Sequence, residues 1–256
     1  MRRNKEMERL VQEINKCKGC GLCNSRNKPV VGEGLLSARI MFVGEAPGRL
    51  EDQEGRPFVG RAGRIFDELL KSIGMVREEI YITNILKCRP PNNRNPKPEE
   101  IKACGGYLNR QIAIIQPEII ASLGNFAYAH ISGKFNLKQE RIGKVHGRVF
   151  NVTGPAGVKK IIPLYHPAVV AYNPGMKNLL LADFQVLVEA NKTCKWYDEC
   201  PMKRFYEEGR LEERWIREYC KGNYRGCVRY RLEEEGKPHP DNMLPDGTIR
   251  ESLYVR

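Results

Sequence analysis

Four residues of this chain, Glu45, Phe58, Asn84 and His166, are of types that together could carry out chemistry on a nucleic-acid base. An aromatic ring stacks on a flat heterocycle, and an Asn amide offers one donor and one acceptor side by side to the edge of a base. A carboxylate orients a water molecule or stabilises a developing cation, and an imidazole holds negative charge on a leaving group. Together these groups suit cleavage of an N-glycosidic bond to a flipped base.

Other chemistries are less well supported by the same part of the sequence. The group contains no Ser or Cys nucleophile beside a base, and no Walker-type Gly-Lys-Ser/Thr, so nucleotide hydrolysis is not predicted. Taken singly, Phe58 could be a core residue, Asn84 a turn residue and His166 an ordinary loop histidine. Only their joint placement favours the functional interpretation.

Strands that alternate with helices must position these residues. Apolar runs predict strands at 38–43, 79–86, 118–123 and 159–165 and a less regular one near 145–152, and periodicity predicts helices at 5–15, 62–73, 98–115, 125–132 and 175–190. This alternation predicts an α/β fold with helices on both faces of a mostly parallel sheet. The carboxyl ends of parallel strands lie at one edge, so the residues that follow those strands can converge there.

The charge of the chain is unevenly distributed. Its formal net charge is +12, and residues 1–192 carry 30 basic and 18 acidic side chains, whereas residues 193–256 carry 13 of each. A basic surplus suggests a polyanionic partner, usually nucleic acid. The charge shift and a gap without cysteines between 105 and 193 predict two domains, 1–192 and 193–256.

The chain has no run that approaches the 18 apolar residues of a membrane span, and its charged start is not typical of a secretory signal. We therefore expect a cytoplasmic protein with no membrane partner. Nine cysteines in such a chain are not expected to form disulfides. They form two groups, which predicts two separate metal centres.

The first group of cysteines is scattered. Zinc ribbons more often use two close Cys-x-x-Cys knuckles, whereas scattered thiolates suit a cubane cluster. The second group leaves iron–sulfur and zinc both open. The first group is Cys17, Cys20, Cys23, Cys88 and Cys104. The second group is Cys194, Cys200, Cys220 and Cys227.

Three segments resemble the iron–sulfur uracil-DNA glycosylases of family 4, and the likeness covers roughly residues 7–190. The segments are GEAPGRLEDQEGRPFVGRAGRIFDELLKSIGM, YITNILKCRPPNNRNPKPEEIKAC and YHPAVV. The resemblance implies removal of uracil from single- or double-stranded DNA, which starts base-excision repair. It also implies a three-layer α/β/α sandwich around a central, mostly parallel four-stranded sheet.

The resemblance implies roles for substrate-binding residues. Phe58 would stack on uracil, Asn84 would hydrogen-bond the uracil edge and reject cytosine, and backbone amides around Ala46 would contact the base. His166 would stabilise the uracil anion through its O2 atom.

The resemblance also implies catalytic roles for Glu45, Glu51 and Asn93. Glu45 is the carboxylate near the attacked sugar carbon, Glu51 is a second acidic position in the same loop, and Asn93 lies near the catalytic water. The family often has an Arg where this chain has Tyr172, in a loop expected to wedge into the DNA minor groove.

For the metal centres, the resemblance implies a four-iron cluster on Cys17, Cys20, Cys88 and Cys104, with Cys23 a spare that could substitute for Cys20. Residues 193–256 lie outside the part of the chain that resembles the glycosylases. Their zero net charge favours a packing role for their aromatic residues or a protein partner. We expect a monomer.

Two alternatives to the function of a uracil-DNA glycosylase remain open. One is a non-catalytic iron–sulfur DNA-binding or replication-accessory protein, and the other is a glycosylase for another deaminated base.

Overall fold

The chain divides into two compact units, Met1–Ala190 and Asn191–Arg256. The computed structural model describes residues 2–192, 194–221 and 224–253. The division lies two residues before the domain boundary predicted after residue 192. Among the described residues, no helix has both the length and the apolar character needed to cross a membrane.

The first unit is built on a six-stranded sheet in the order β1-β3-β2-β4-β6-β5. The four central strands are parallel, and β1 and β5 pair antiparallel at the two edges. The expected count of four strands is therefore wrong, although the four predicted core strands form. The edge strand Phe150–Asn151 lies within the less regular strand predicted near 145–152. The other edge strand, Glu33–Gly34, was not predicted, because two residues are too few for an alternating pattern. The strands are β1 (Glu33–Gly34), β2 (Ile40–Gly44), β3 (Tyr81–Asn84), β4 (Ile119–Leu123), β5 (Phe150–Asn151) and β6 (Lys160–Leu164).

Eight helices of the first unit are described, and the five predicted from periodicity are among them. The other three are short segments of four to six residues near loops. The helices are α1 (Arg2–Lys16), α2 (Arg49–Glu54), α3 (Arg61–Ser72), α4 (Pro98–Ile115), α5 (Gly124–Lys134), α6 (Ile142–Val145), α7 (Ala168–Tyr172) and α8 (Lys177–Asn191).

Helices cover both faces of the sheet because the central strands are buried on both sides. Side chains alternate along a strand, so Met41 and Val43 of β2 join one core and Ile40 and Phe42 join the other. The first core is shared with α1, α4 and α5, and the second with α3 and α8. These three layers confirm the α/β class predicted from the sequence.

The second unit is small and helical. A compact apolar core is formed by side chains that include Met202, Phe205, Leu211, Trp215 and Ile216. Its helices are α9 (Pro201–Glu207), α10 (Glu213–Trp215), which continues as a π-helical turn over Ile216–Cys220, and α11 (Val228–Glu234).

Candidate functional site

A cavity of about 390 Å³ opens at the carboxyl edge of the central sheet, where β2, β3 and β6 end. Residues from four separate segments of the chain line it. The residues predicted to bind or act on a base are all among them: Glu45, Ala46, Glu51, Phe58, Asn84, Asn93 and His166. Tyr172 also lines the cavity, at the end of α7.

Asn84 is the last residue of β3 and is 2% exposed. It pairs across the parallel ladder with Gly44, the last residue of β2. A Cβ atom on Gly44 would lie 2.3 Å from Asn84 Oδ1 and 3.0 Å from Phe58 Cζ. The amide and the ring therefore occupy space that only glycine leaves free at this strand end.

Phe58 has a backbone φ of +52°, a left-handed conformation that costs free energy for a bulky residue. Arg77 holds this conformation by donating from Nη2 to the Phe58 carbonyl at 2.5 Å and from Nη1 to the Pro57 carbonyl at 3.1 Å. Gly63 permits the close turn, because a Cβ atom there would lie 1.8 Å from the Phe58 carbonyl oxygen. The loop is thus fixed by contacts from outside itself.

The imidazole of His166 stacks against the ring of Phe58, with centroids 5.5 Å apart and an interplanar angle of 27°. Its Nδ1 accepts a hydrogen bond from the Ala168 amide at 3.2 Å. Burial lowers the pKa of His166 to about 4, against the opposing effect of the Glu51 carboxylate. Near neutral pH the ring is therefore neutral, and since Nδ1 accepts, Nε2 carries the proton and is the donor.

Glu45 comes directly after β2 and is partly buried at the cavity wall. Burial raises the pKa of its carboxyl group, because water no longer fully solvates the charge. Its backbone carbonyl accepts a hydrogen bond from Leu86 at 3.0 Å, which ties the loop to the segment after β3. A partly desolvated carboxylate is a better proton acceptor than an exposed one.

Glu51 and Asn93 have other contacts as well as facing the cavity. Glu51 Oε1 accepts hydrogen bonds from the amides of Val59 at 3.0 Å and Gly60 at 2.9 Å, at the start of α3. Asn93 is exposed, and its Oδ1 accepts a hydrogen bond from Arg89 Nε at 2.7 Å. In the structure Glu51 positions the loop, and catalytic roles for both residues stay predictions.

A buried lysine beneath the site was not anticipated. Lys87 is 1% exposed, and its Nζ donates to Thr83 Oγ1 (2.7 Å), the Asn84 carbonyl (2.6 Å) and Gln111 Oε1 (2.7 Å). Burial lowers the pKa of Lys87 to about 7. The lysine thereby fixes the backbone that carries Asn84. Its partners lie up to 24 positions away, so nothing in the local sequence indicates the network.

The first five cysteines line a second, small cavity between the end of α1 and the segment after β3, and none of the five forms a disulfide. Three of these sulfurs accept hydrogen bonds: Cys88 from Arg26 Nη1 at 3.1 Å, Cys104 from the Lys87 amide at 3.2 Å and Cys17 from the Gly19 amide at 3.4 Å. Such donors are typical around iron–sulfur clusters, where they stabilise charge on sulfur.

The thiols around this cavity, with their hydrogen-bond donors, supply the ligand chemistry that an iron–sulfur cluster would need. Within residues 2–192, 194–221 and 224–253, no three His, Cys, Asp or Glu side chains form a group that could hold a single metal ion. Cys23 differs from the other four cysteines because its thiol donates to Asn24 Oδ1 at 3.4 Å. That Cys23 is the spare cysteine stays a prediction.

Comparison with known proteins finds relatives of the first unit. Residues 31–190 match the Uracil DNA glycosylase superfamily. A type-4 uracil-DNA glycosylase of Archaeoglobus fulgidus is 46% identical over 183 residues, covering 72% of this chain and 92% of that protein. The type-4 enzyme of Saccharolobus solfataricus is 46% identical (72% and 86% covered), and that of Thermotoga maritima is 45% identical (72% and 93% covered).

Proposed function

The chain belongs to the uracil-DNA glycosylase superfamily, and we propose that it removes uracil flipped out of DNA by hydrolysing the N-glycosidic bond. It is a hydrolase acting on N-glycosyl bonds, and DNA is its partner. One observation carries the assignment of its site: Phe58, Asn84, His166 and Glu45 line one cavity at the sheet edge although they lie far apart in sequence.

Recognition of the base is assigned to Phe58 and Asn84. The rings of Phe58 and His166 are already in contact at 5.5 Å, so a base cannot enter between them. Uracil instead meets the side of Phe58 that faces the cavity. The Asn84 amide then donates to one carbonyl of uracil and accepts from its N–H, a pattern that the amino edge of cytosine does not match.

Bond cleavage is assigned to His166 and Glu45. When the bond between N1 of uracil and C1′ of the sugar breaks, its electron pair stays on the base, and negative charge develops on O2. The neutral imidazole donates from Nε2 to that oxygen, because Nδ1 accepts from the Ala168 amide and the ring proton is therefore on Nε2. Glu45 faces the sugar carbon, where its carboxylate stabilises the developing cation and orients the attacking water. We assign contacts with the base to backbone amides near Ala46, and keep Glu51 and Asn93 as candidate residues around the water.

The DNA-facing surface includes Tyr172, which is 88% exposed at the end of α7. We propose that its ring fills the gap left by the flipped base, by stacking on the neighbouring bases.

We also propose that Cys17, Cys20, Cys88 and Cys104 hold a [4Fe–4S] cluster, which would join the end of α1 to the loop that carries Asn93. Its contribution would be structural. We further propose that the protein is a cytoplasmic monomer.

The proposal is tested with single-stranded and duplex oligonucleotides that each contain one uracil. After incubation, alkali cleaves the strand wherever a base has been removed. Strand cleavage that depends on uracil is the expected result. Binding without cleavage would instead support the non-catalytic accessory protein, and cleavage only with another deaminated base would reassign the substrate.

The variant Asn84→Asp tests how the base is read. A carboxylate cannot donate as the amide does, so we expect loss of uracil excision or a gain of cytosine excision. Excision is measured on matched uracil and cytosine oligonucleotides. If both rates equal those of the wild type, Asn84 does not contact the base.

A further inference from the structure

The second unit places four cysteines, distant in sequence, around one cavity. Cys194, Cys200, Cys220 and Cys227 all line a cavity of about 680 Å³, and none of the four forms a disulfide. Cys200 lies close enough to interact electrostatically with each of the other three. The amide of Cys194 donates to the Cys220 carbonyl at 2.8 Å, which holds the two halves of the set together.

A buried cation adds an independent indication. Arg229 is 4% exposed, lines the same cavity and interacts electrostatically with Cys227. Its Nη1 donates to three carbonyl oxygens, of Pro240 (2.8 Å), Asp241 (3.1 Å) and Met243 (3.0 Å). Its Nε is buried without a hydrogen-bond partner in the part of the chain that the structure describes. A buried guanidinium is stabilised by an anionic group beside it.

We propose that Cys194, Cys200, Cys220 and Cys227 bind a second [4Fe–4S] cluster. Four thiolates on such a cluster form an anionic centre, which complements Arg229. Zinc fits less well, because zinc sites typically use Cys pairs two to four residues apart, and the pairs here are separated by five and six residues. The match to the glycosylase superfamily ends at residue 190, so these four cysteines lie outside the matched residues.

The test compares full-length proteins purified without oxygen and reconstituted with ferrous iron and sulfide. We expect about eight irons and about eight sulfides per wild-type chain, from two four-iron clusters. The double variant Cys200→Ser/Cys227→Ser should keep about four irons, and Cys88→Ser/Cys104→Ser should also keep about four. The matched control is Arg231→Ser, at an exposed position of α11 that does not line the cavity, and it should keep all the iron.

The metal contents of these proteins test the second cluster independently of the first. Wild-type protein with about four irons, all of which survive in the Cys200/Cys227 variant, would overturn the second cluster and leave the first intact. About one zinc per chain that disappears in that variant would also overturn it. If that variant fails to fold, the decision rests on the iron content of the wild type and of the Cys88/Cys104 variant, in which about four irons are expected to remain.

Discussion

At the scale of single residues, His166 shows how a common side chain is adapted to a specific task. An exposed histidine is partly charged near neutral pH, and a charged ring would donate from both nitrogens. In this protein burial lowers the pKa of His166 to about 4, and the Ala168 amide occupies Nδ1. The neutral ring therefore carries its single N–H on Nε2, and His166 lines the cavity. We infer that the hydrogen-bond donor of His166 is in place before the base binds.

The low pKa of His166 predicts a dependence of stability on pH. Between about pH 6.5, the ordinary pKa of histidine, and about pH 4, the unfolded chain binds a proton at His166 that the folded chain does not. Stability is therefore lost as the pH falls through this range, by about 3 kcal/mol from this group. The variant His166→Gln should lack that part of the loss.

This prediction is checked by urea unfolding of both proteins at several pH values across that range. The carboxylates titrate in both proteins, so their contributions cancel in the difference between the two curves. Parallel curves would show that His166 titrates normally in the folded protein.

At the scale of secondary-structure elements, the ends of β2 and β3 form the floor of the site. Gly44 and Asn84 are paired at these ends, and the Phe58 loop closes over them before α3 begins. Glu51 secures the start of α3 through the amides of Val59 and Gly60. The loop therefore depends on the fit between two strand ends and one helix start.

The variant Gly44→Ala tests this fit. The added Cβ would lie 2.3 Å from Asn84 Oδ1, so the amide must move away from its place. We expect kcat/KM for uracil excision to fall by about 100-fold, which corresponds to about 2.7 kcal/mol of transition-state stabilisation. The measurement is the excision rate at low substrate concentration, with circular dichroism to confirm folding.

The matched control is Gly106→Ala in α4. Gly106 is exposed, and a Cβ there meets nothing within 4 Å. Alanine should leave excision unchanged and raise stability by roughly 0.5–1 kcal/mol, since glycine is a poor helix former. Full excision activity in Gly44→Ala would show that the Asn84 side chain is not confined as described.

At the scale of the whole molecule, the basic surplus belongs to residues 1–192. DNA binding through phosphate contacts releases counterions, so the logarithm of the binding constant should fall linearly with the logarithm of salt concentration. Arg61 is exposed at the start of α3 and lines the cavity. The variant Arg61→Gln should reduce the slope by about 0.9 on duplex DNA if Arg61 contacts one phosphate.

The slope is measured by titration of a labelled duplex with protein at several salt concentrations. Arg231→Gln in the second unit, where basic and acidic residues balance, should leave the slope unchanged. A slope that Arg61→Gln does not alter would place Arg61 outside the phosphate contacts.

By itself, the sequence determined the α/β class, the four parallel strands and the presence of a ligand site where those strands end. These features follow from periodicity and from the turn chemistry of the segment after β2, which are local properties of the chain. The motifs around Phe58, Asn84 and His166 were also sufficient to indicate base excision, and the comparisons confirm a uracil-DNA glycosylase. Of the two edge strands, Phe150–Asn151 was predicted only as a less regular strand, and Glu33–Gly34 was missed because two residues are too few to produce a pattern.

Tertiary structure alone decided how the site is held. Arg77 supports Phe58 from 19 positions away, and Lys87 joins Asn84 to Gln111 on α4. The neutral state of His166 follows from its burial. Burial and contacts between distant residues arise only when the chain packs, so the residue types in a local segment cannot reveal them.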